Sequence, residues 1–79
     1  MGMSINVPIQ PLLDYLDDSK MPNNAVKAKA IGVSLRHYSR LLKKKEIDWA
    51  TADRYAIRLE LHPAIIWQDW YALTKGVAA

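Results

Sequence analysis

A signal that ends a helix is followed almost directly by a signal that begins one in the stretch "AKAIGVSLRHYSRLL", from Ala28 to Leu42. Gly32 turns a chain at the least steric cost, and glycine commonly ends a helix. Ser34 is a good N-cap, because its hydroxyl accepts a backbone N–H that the following helix leaves unpaired. The sequence therefore predicts two short helices joined by a very short turn.

Length and composition favour one small globular domain over residues 1–79. The chain contains no Cys, so neither a disulfide nor a thiolate metal site can reinforce it. Its 51% hydrophobic content is too high for a disordered chain. No apolar run approaches the roughly 18 residues of a membrane span. The N-terminal residues lack the basic start and apolar segment of a signal peptide, so we expect a cytoplasmic protein.

Basic residues are concentrated in one part of the sequence. The segment from Ser19 to Lys45 contains no Asp or Glu, and the acids all lie outside it. Its basic residues are Lys20, Lys27, Lys29, Arg36, Arg40, Lys43, Lys44 and Lys45. This asymmetry favours a polyanionic partner, and the alternative is a solvated basic face that binds nothing.

Helical periodicity and capping residues predict an all-α fold, a compact bundle of about five short helices. Strand signals are weak, because no long alternating run and no Asn-Gly or Asp-Gly turn occurs. The predicted helices cover about residues 9–18, 24–31, 34–44, 49–59 and 63–74, followed by a frayed tail at 75–79. The second and third predicted helices, joined by a short turn at Gly32, are predicted to form a helix-turn-helix over about residues 24–44.

The third predicted helix has one apolar and one polar side. Its predicted buried residues are Leu35, Tyr38, Leu41 and Leu42. The polar side is rich in hydrogen-bond donors, which suits DNA, because Arg can donate two parallel bonds to a guanine edge. We expect base contacts from the residues Ser34, Arg36, His37 and Arg40. We expect contacts to the DNA backbone from Asn24, Lys29, Ser39, Lys43, Lys44 and Lys45.

The segment "AVKAKAIGVSLRHYSRLL" resembles the helix-turn-helix of lambda-repressor-like (Cro/C1-type) DNA-binding domains. The following "EIDWATADRYAIRLELHPAIIW" resembles the fourth and fifth helices of small actinobacterial and bacteriophage members, which carry an "ADRIA…LGLHP…IW" pattern. The resemblance covers about residues 24–70. It implies a lambda-repressor-like fold and sequence-specific binding of double-stranded DNA. The implied role is a transcriptional repressor or Cro-like regulator, often dimeric on DNA, in a bacterium or a phage-infected host.

Two residues depart from the family pattern. Lys27 lies where that pattern usually has an apolar residue, so we expect either a buried stem with a solvated charge or a rotated second helix. Glu60 lies where the pattern often has Gly. If that position requires a positive φ angle, Glu costs about 1 kcal/mol there. Both departures concern the packing of helices rather than the predicted DNA face.

Two other functions compete with this one. The chain could be a protein-interaction module, such as an antirepressor or a phage protein that binds a host factor, with Trp67, Trp70 and Tyr71 as its surface. Trp67 also reads as core, whereas Trp70 and Tyr71 lie near the end of the last predicted helix and, if exposed, are candidates for a dimer or partner surface. An excisionase-like architectural DNA binder is the other alternative, and it would place a β-hairpin wing after the third helix.

Catalytic signals are lacking in the sequence. There is no nucleophile motif or phosphate-binding loop, and the glycines are scattered. The two His lie far apart without metal-ligand spacing, and His62 reads as a structural residue before Pro63. We therefore expect no enzyme activity, no metal, no cofactor and no small-molecule substrate.

Overall fold

The computed structural model describes residues 5–74, and the predicted frayed tail at 75–79 lies outside them. These residues form a compact, mostly helical fold with a small two-stranded sheet. In chain order the elements are β1 (Asn6–Pro8), α1 (Gln10–Asp18), α2 (Asn24–Ala30), α3 (Leu35–Leu41), β2 (Glu46–Asp48), α4 (Trp49–Arg58), α5 (Pro63–Ile66) and α6 (Trp70–Leu73). None of the helices within residues 5–74 has the length and apolarity needed to cross a membrane.

Side-chain caps begin four of the helices. Asn23 Oδ1 accepts from Val26 N at 3.0 Å, and Asp48 Oδ2 accepts from Ala50 N at 3.1 Å. The Ser34 hydroxyl caps α3, and the ring of His62 caps α5. Such caps satisfy N–H groups that the first helical turn leaves without intrahelical partners. The predicted positions of the first four helices are confirmed, except that the third ends at residue 41 instead of 44.

The all-α prediction is wrong in one respect, because β1 and β2 pair as antiparallel strands. Val7 lies opposite Ile47, and both side chains are buried. Backbone bonds extend the pairing at both ends, from Ile9 N to Lys45 O at 3.0 Å and from Trp49 N to Ile5 O at 2.8 Å. Each strand has only three residues, which is too short for an alternation of apolar and polar residues to be recognised in the sequence.

The predicted last helix is broken into α5 and α6. Trp67 separates them with an extended backbone, φ −104° and ψ 95°. Its indole is fully buried, and Nε1 donates to Pro8 O at 2.7 Å. The chain leaves helical geometry at the residue whose side chain joins the end of α5 to β1, which a periodic apolar pattern does not reveal.

A single hydrophobic cluster joins the sheet to the helices. Its buried members are Val7, Ile9, Leu12, Leu13, Leu16, Ala28, Ile31, Tyr38, Leu41, Ile47, Ala52, Tyr55, Ala56, Ile66, Trp67 and Trp70. Trp49 is partly buried against this cluster. Leu35 and Leu42, predicted to be core, are about half exposed, because the short α3 reaches the cluster mainly through Tyr38 and Leu41.

The structure shows how Lys27 and Glu60, the two residues that depart from the pattern of the resembled domains, are accommodated. The Lys27 side chain is only 14% exposed, and its Nζ lies 2.7 Å from Asp17 Oδ1 at the end of α1. The hydrogen bond with Asp17 raises the pKa of Lys27 above its ordinary value. Glu60 has φ 61°, the left-handed backbone for which Gly is favoured.

Candidate nucleic-acid interface

The turn between α2 and α3 has a specific hydrogen-bond pattern. Val33 N donates to Ala28 O at 2.9 Å, and Gly32 N donates to Lys29 O at 3.1 Å. Gly32 has φ 79°. Together these features define a Schellman motif, the common glycine-dependent helix ending. The motif satisfies the last carbonyls of α2 and directs the chain into α3 after a very short connection.

Buried side chains fix how α3 is rotated about its own axis. Tyr38 and Leu41, three residues apart, are both buried in the core. At the N-terminal end, Ser34 Oγ accepts from His37 N at 3.0 Å. Because the inner face is fixed, the outer face is fixed as well. The exposed outer residues of the helix are Leu35, Arg36, His37, Ser39 and Arg40.

The exposed cations of α3 and of the segments next to it in the chain lack acidic partners within residues 5–74. In residues 5–74, Lys27 and Asp17 form the only ion pair with a separation of 4.0 Å or less. Cations that are exposed and free of such a pair include Lys29, Arg36, Arg40, Lys43, Lys44 and Lys45. Unpaired charges at the surface are available to a polyanion without first breaking a salt bridge.

The predicted backbone-contacting residues lie on both sides of α3. Asn24 is the first residue of α2 and is exposed, as is Lys29 near the end of that helix. Lys43 and Lys44 follow α3 directly, and Lys45 is held in place by the bond from Ile9 N to its carbonyl. The sheet thus anchors the lysine run that follows α3.

His37 is joined to α4 as well as to α3. Its Nε2 lies 3.2 Å from the hydroxyl of Tyr55. Burial raises the pKa of the Tyr55 phenol above its ordinary value, and the positive charge of Arg54 offsets part of that rise. The first turn of α3 is therefore held by a side-chain contact from α4, in addition to its cap.

Two arginines that the sequence prediction did not assign to the site lie beside this contact. Arg54 and Arg58 are four residues apart on α4, a spacing that places both on one helix face. With His37, Tyr55 and Gly32 they line a surface pocket of about 270 Å³. The spacing of four is the signal that could have identified them, but the acid-free segment used to define the basic face ended at Lys45.

The aromatic end of the chain differs from its prediction. Trp70 was a candidate for an exposed partner surface, and this is wrong: it is only 7% exposed and packs on Trp67, with ring centroids 5.6 Å apart. Trp67 is core, as predicted. Tyr71 is 70% exposed, and its hydroxyl lies 3.2 Å from Nε2 of His62. The break before α6 turns Trp70 inward, so Tyr71 remains as the exposed aromatic residue of this predicted surface.

Within residues 5–74 no group of three or more His, Asp or Glu side chains is placed to hold a metal ion. Comparison with protein-family models, with curated proteins and with solved structures gives no match for this chain.

Proposed function

We propose that this chain binds double-stranded DNA sequence-specifically and acts as a transcriptional repressor or Cro-like regulator of bacterial or bacteriophage origin, working in the cytoplasm. In this proposal α2, the glycine turn and α3 form a helix-turn-helix, and α3 enters the major groove. A homodimer on two half-sites is the expected assembly on DNA.

One observation carries the proposal. The outer face of α3 and the lysine run after it are exposed and contain no Asp or Glu, and their cations lack ion-pair partners in the described part of the chain. The buried side chains of Tyr38 and Leu41 hold that face in a fixed orientation. A rigid helix with outward guanidinium groups suits base edges, whereas lysines without fixed partners suit phosphates.

The residues divide into two roles on this basis. We assign Ser34, Arg36 and His37 to base edges because they lie at the N-terminal start of α3, and we add Arg40 because it is exposed in the last turn of the same helix. We assign Asn24, Lys29, Ser39, Lys43, Lys44 and Lys45 to phosphates. The contact of His37 with Tyr55 limits the reach of its ring, so Arg36 is the strongest candidate for direct base readout.

The first test is selection of bound sequences from a random duplex pool, followed by anisotropy titrations on the selected and on an unrelated duplex. We expect a defined motif whose affinity survives moderate salt. Recovery of no motif, with binding that disappears as salt rises, would refute sequence-specific recognition and leave a non-specific polyanion surface.

The second test separates the two roles by substitution. Arg36→Ala should weaken binding to the selected duplex by about 1–3 kcal/mol and relax preference at one base pair. Lys43→Gln should weaken binding equally on both duplexes and reduce the salt slope by about one unit. Lys20→Gln, in the turn after α1, is the matched control and should change neither. Unchanged affinity and base preference in the Arg36 variant would refute this assignment of the reading face.

The two alternatives have less structural support. A protein-interaction module built on Trp67, Trp70 and Tyr71 needs all three side chains at the surface, and the first two are buried. An excisionase-like architecture needs a β-hairpin after α3. In residues 5–74 the segment after α3 instead forms β2, which pairs with β1 and leads directly into α4.

A further inference from the structure

A concave pocket of about 270 Å³ lies between the α2–α3 turn and α4. The side chains that matter chemically are those of His37, Thr51, Arg54, Tyr55 and Arg58, and the backbone of Gly32 forms part of the wall. The pocket adjoins the first turn of α3 and shares His37 with the outer face of that helix, whereas its other polar side chains come from α4.

The pocket is positively charged and lacks acids. No Asp or Glu lines it, and neither arginine forms an ion pair within the described residues. Like charges four residues apart on a helix repel each other by a few tenths of a kcal/mol. An anion between the two guanidinium groups would replace this repulsion with attraction.

The geometry favours side-chain recognition of the anion. A Cβ on residue 32 would lie 3.2 Å from Arg58 Nε, so the absence of a side chain at Gly32 leaves room for the arginine to lie across the turn. The N–H groups of Gly32 and Val33 are already used in the Schellman bonds. Donors for a ligand must therefore come from the arginines, from the Thr51 hydroxyl and from the His37–Tyr55 pair.

We propose that this pocket binds a phosphate group. The planar fork of arginine matches phosphate oxygens with two parallel hydrogen bonds, and two such forks beside two hydroxyls can surround a tetrahedral anion. The pocket lies next to the end of α3 that we assign to base edges, so a phosphate of the DNA backbone is the source we favour. That choice of source rests on the proposed function; the phosphate chemistry of the pocket does not.

Inorganic phosphate is the first probe. It would be titrated into the free protein at constant ionic strength, with NMR detection of the Gly32 and Val33 amides and of the Arg54 and Arg58 Nε groups. We expect saturable shifts at these positions in the wild type and in Lys20→Gln, and loss of saturation in Arg54→Gln/Arg58→Gln. Absence of a localised shift, or the same shifts in the double variant, would overturn the proposal whatever happens on DNA.

DNA titrations then identify the source of the phosphate. If it is a backbone phosphate, Arg54→Gln/Arg58→Gln should lose affinity equally on the selected and the unrelated duplex and keep its base preference. The salt slope should fall by about one unit, so that the affinity lost between 50 and 200 mM salt becomes roughly threefold smaller. An unchanged slope together with saturable phosphate shifts supports the same pocket with a free phosphate compound as its ligand.

Failure of the two proposals can be distinguished. A wild-type chain that selects no DNA motif refutes the proposed function, yet the phosphate titration still decides the pocket. Conversely, a chain that reads a motif through Arg36 but shows no localised phosphate shift keeps the proposed function and loses the pocket. Thermal melts of the double variant confirm that it is folded before either comparison.

Discussion

Glu60 occupies a backbone position that favours glycine, and replacing it should stabilise the fold. Two helices of this chain end in the same motif. At the end of α2, Gly32 has φ 79°; at the end of α4, Glu60 has φ 61°. Glu60 N donates to Ile57 O at 2.9 Å and Leu61 N donates to Ala56 O at 2.9 Å, which repeats the Schellman pattern with a side chain at the left-handed residue.

The expected magnitude follows from the two conformational terms. A non-glycine residue in the left-handed region costs about 1–2 kcal/mol. Glycine also gives the unfolded chain more conformational entropy, and this lowers the stability of the folded state by about 0.5–1 kcal/mol. Glu60→Gly should therefore raise the free energy of unfolding by about 0.5–1 kcal/mol. For a domain of this size, that is a rise in Tm of about 3–6 °C.

The reverse substitution at the other helix end provides the matched comparison. Gly32→Ala introduces the same left-handed cost, and its Cβ would also approach Arg58 Nε to 3.2 Å, a contact that the flexible arginine can relieve by moving. We expect Tm to fall by at least as much as it rises in Glu60→Gly. Paired thermal and urea unfolding, followed by circular dichroism, measures both. A Glu60→Gly variant less stable than the wild type would refute the strain argument, since Glu60 is exposed and makes no side-chain bond within the described residues.

Three further predictions concern the core. Tyr38→Phe should raise the free energy of unfolding by about 1 kcal/mol in urea titrations, because the buried Tyr38 hydroxyl has no hydrogen-bond partner within residues 5–74; a loss of stability would contradict this. Folding raises the pKa of Tyr38 and Tyr55 by burial and that of Lys27 by its bond to Asp17. Their contribution to stability is complete below about pH 10 and is lost as pH rises through the raised values, so the urea midpoint should stay constant up to about pH 10 and fall above it. Trp67→Phe should lower stability by about 1–3 kcal/mol, because Pro8 O loses its indole donor; an unchanged urea midpoint would contradict that role.

Local signals in the sequence predicted much of the helical framework. Asn23, Ser34 and Asp48 are residues whose short side chains cap a helix, and all three do so here. Gly32 marks the end of α2, and the proline after His62 marks the start of α5. These signals act within one helical turn, so they do not depend on distant parts of the chain.

The structural features that sequence patterns did not predict depend on contacts between distant parts of the chain. The pairing of β1 with β2 joins Val7 to Ile47, and neither three-residue strand carries enough residues to show a period. The break at Trp67 depends on an acceptor at Pro8, at the opposite end of the chain. The pocket requires Arg58 to meet the turn at Gly32, which no pattern within α4 alone reveals.

The core and the proposed reading face are linked through the rotation of α3. Tyr38 and Leu41 point inward, so Arg36, His37 and Arg40 must point outward or sideways. The pairing of β1 with β2 also positions the lysine run, because the bond from Ile9 N holds the carbonyl of Lys45. A substitution that released β1 would therefore displace the lysines that we propose as phosphate contacts, without changing a charge. Stability and DNA affinity should fall together in variants of Val7, whereas Arg36 variants should separate them.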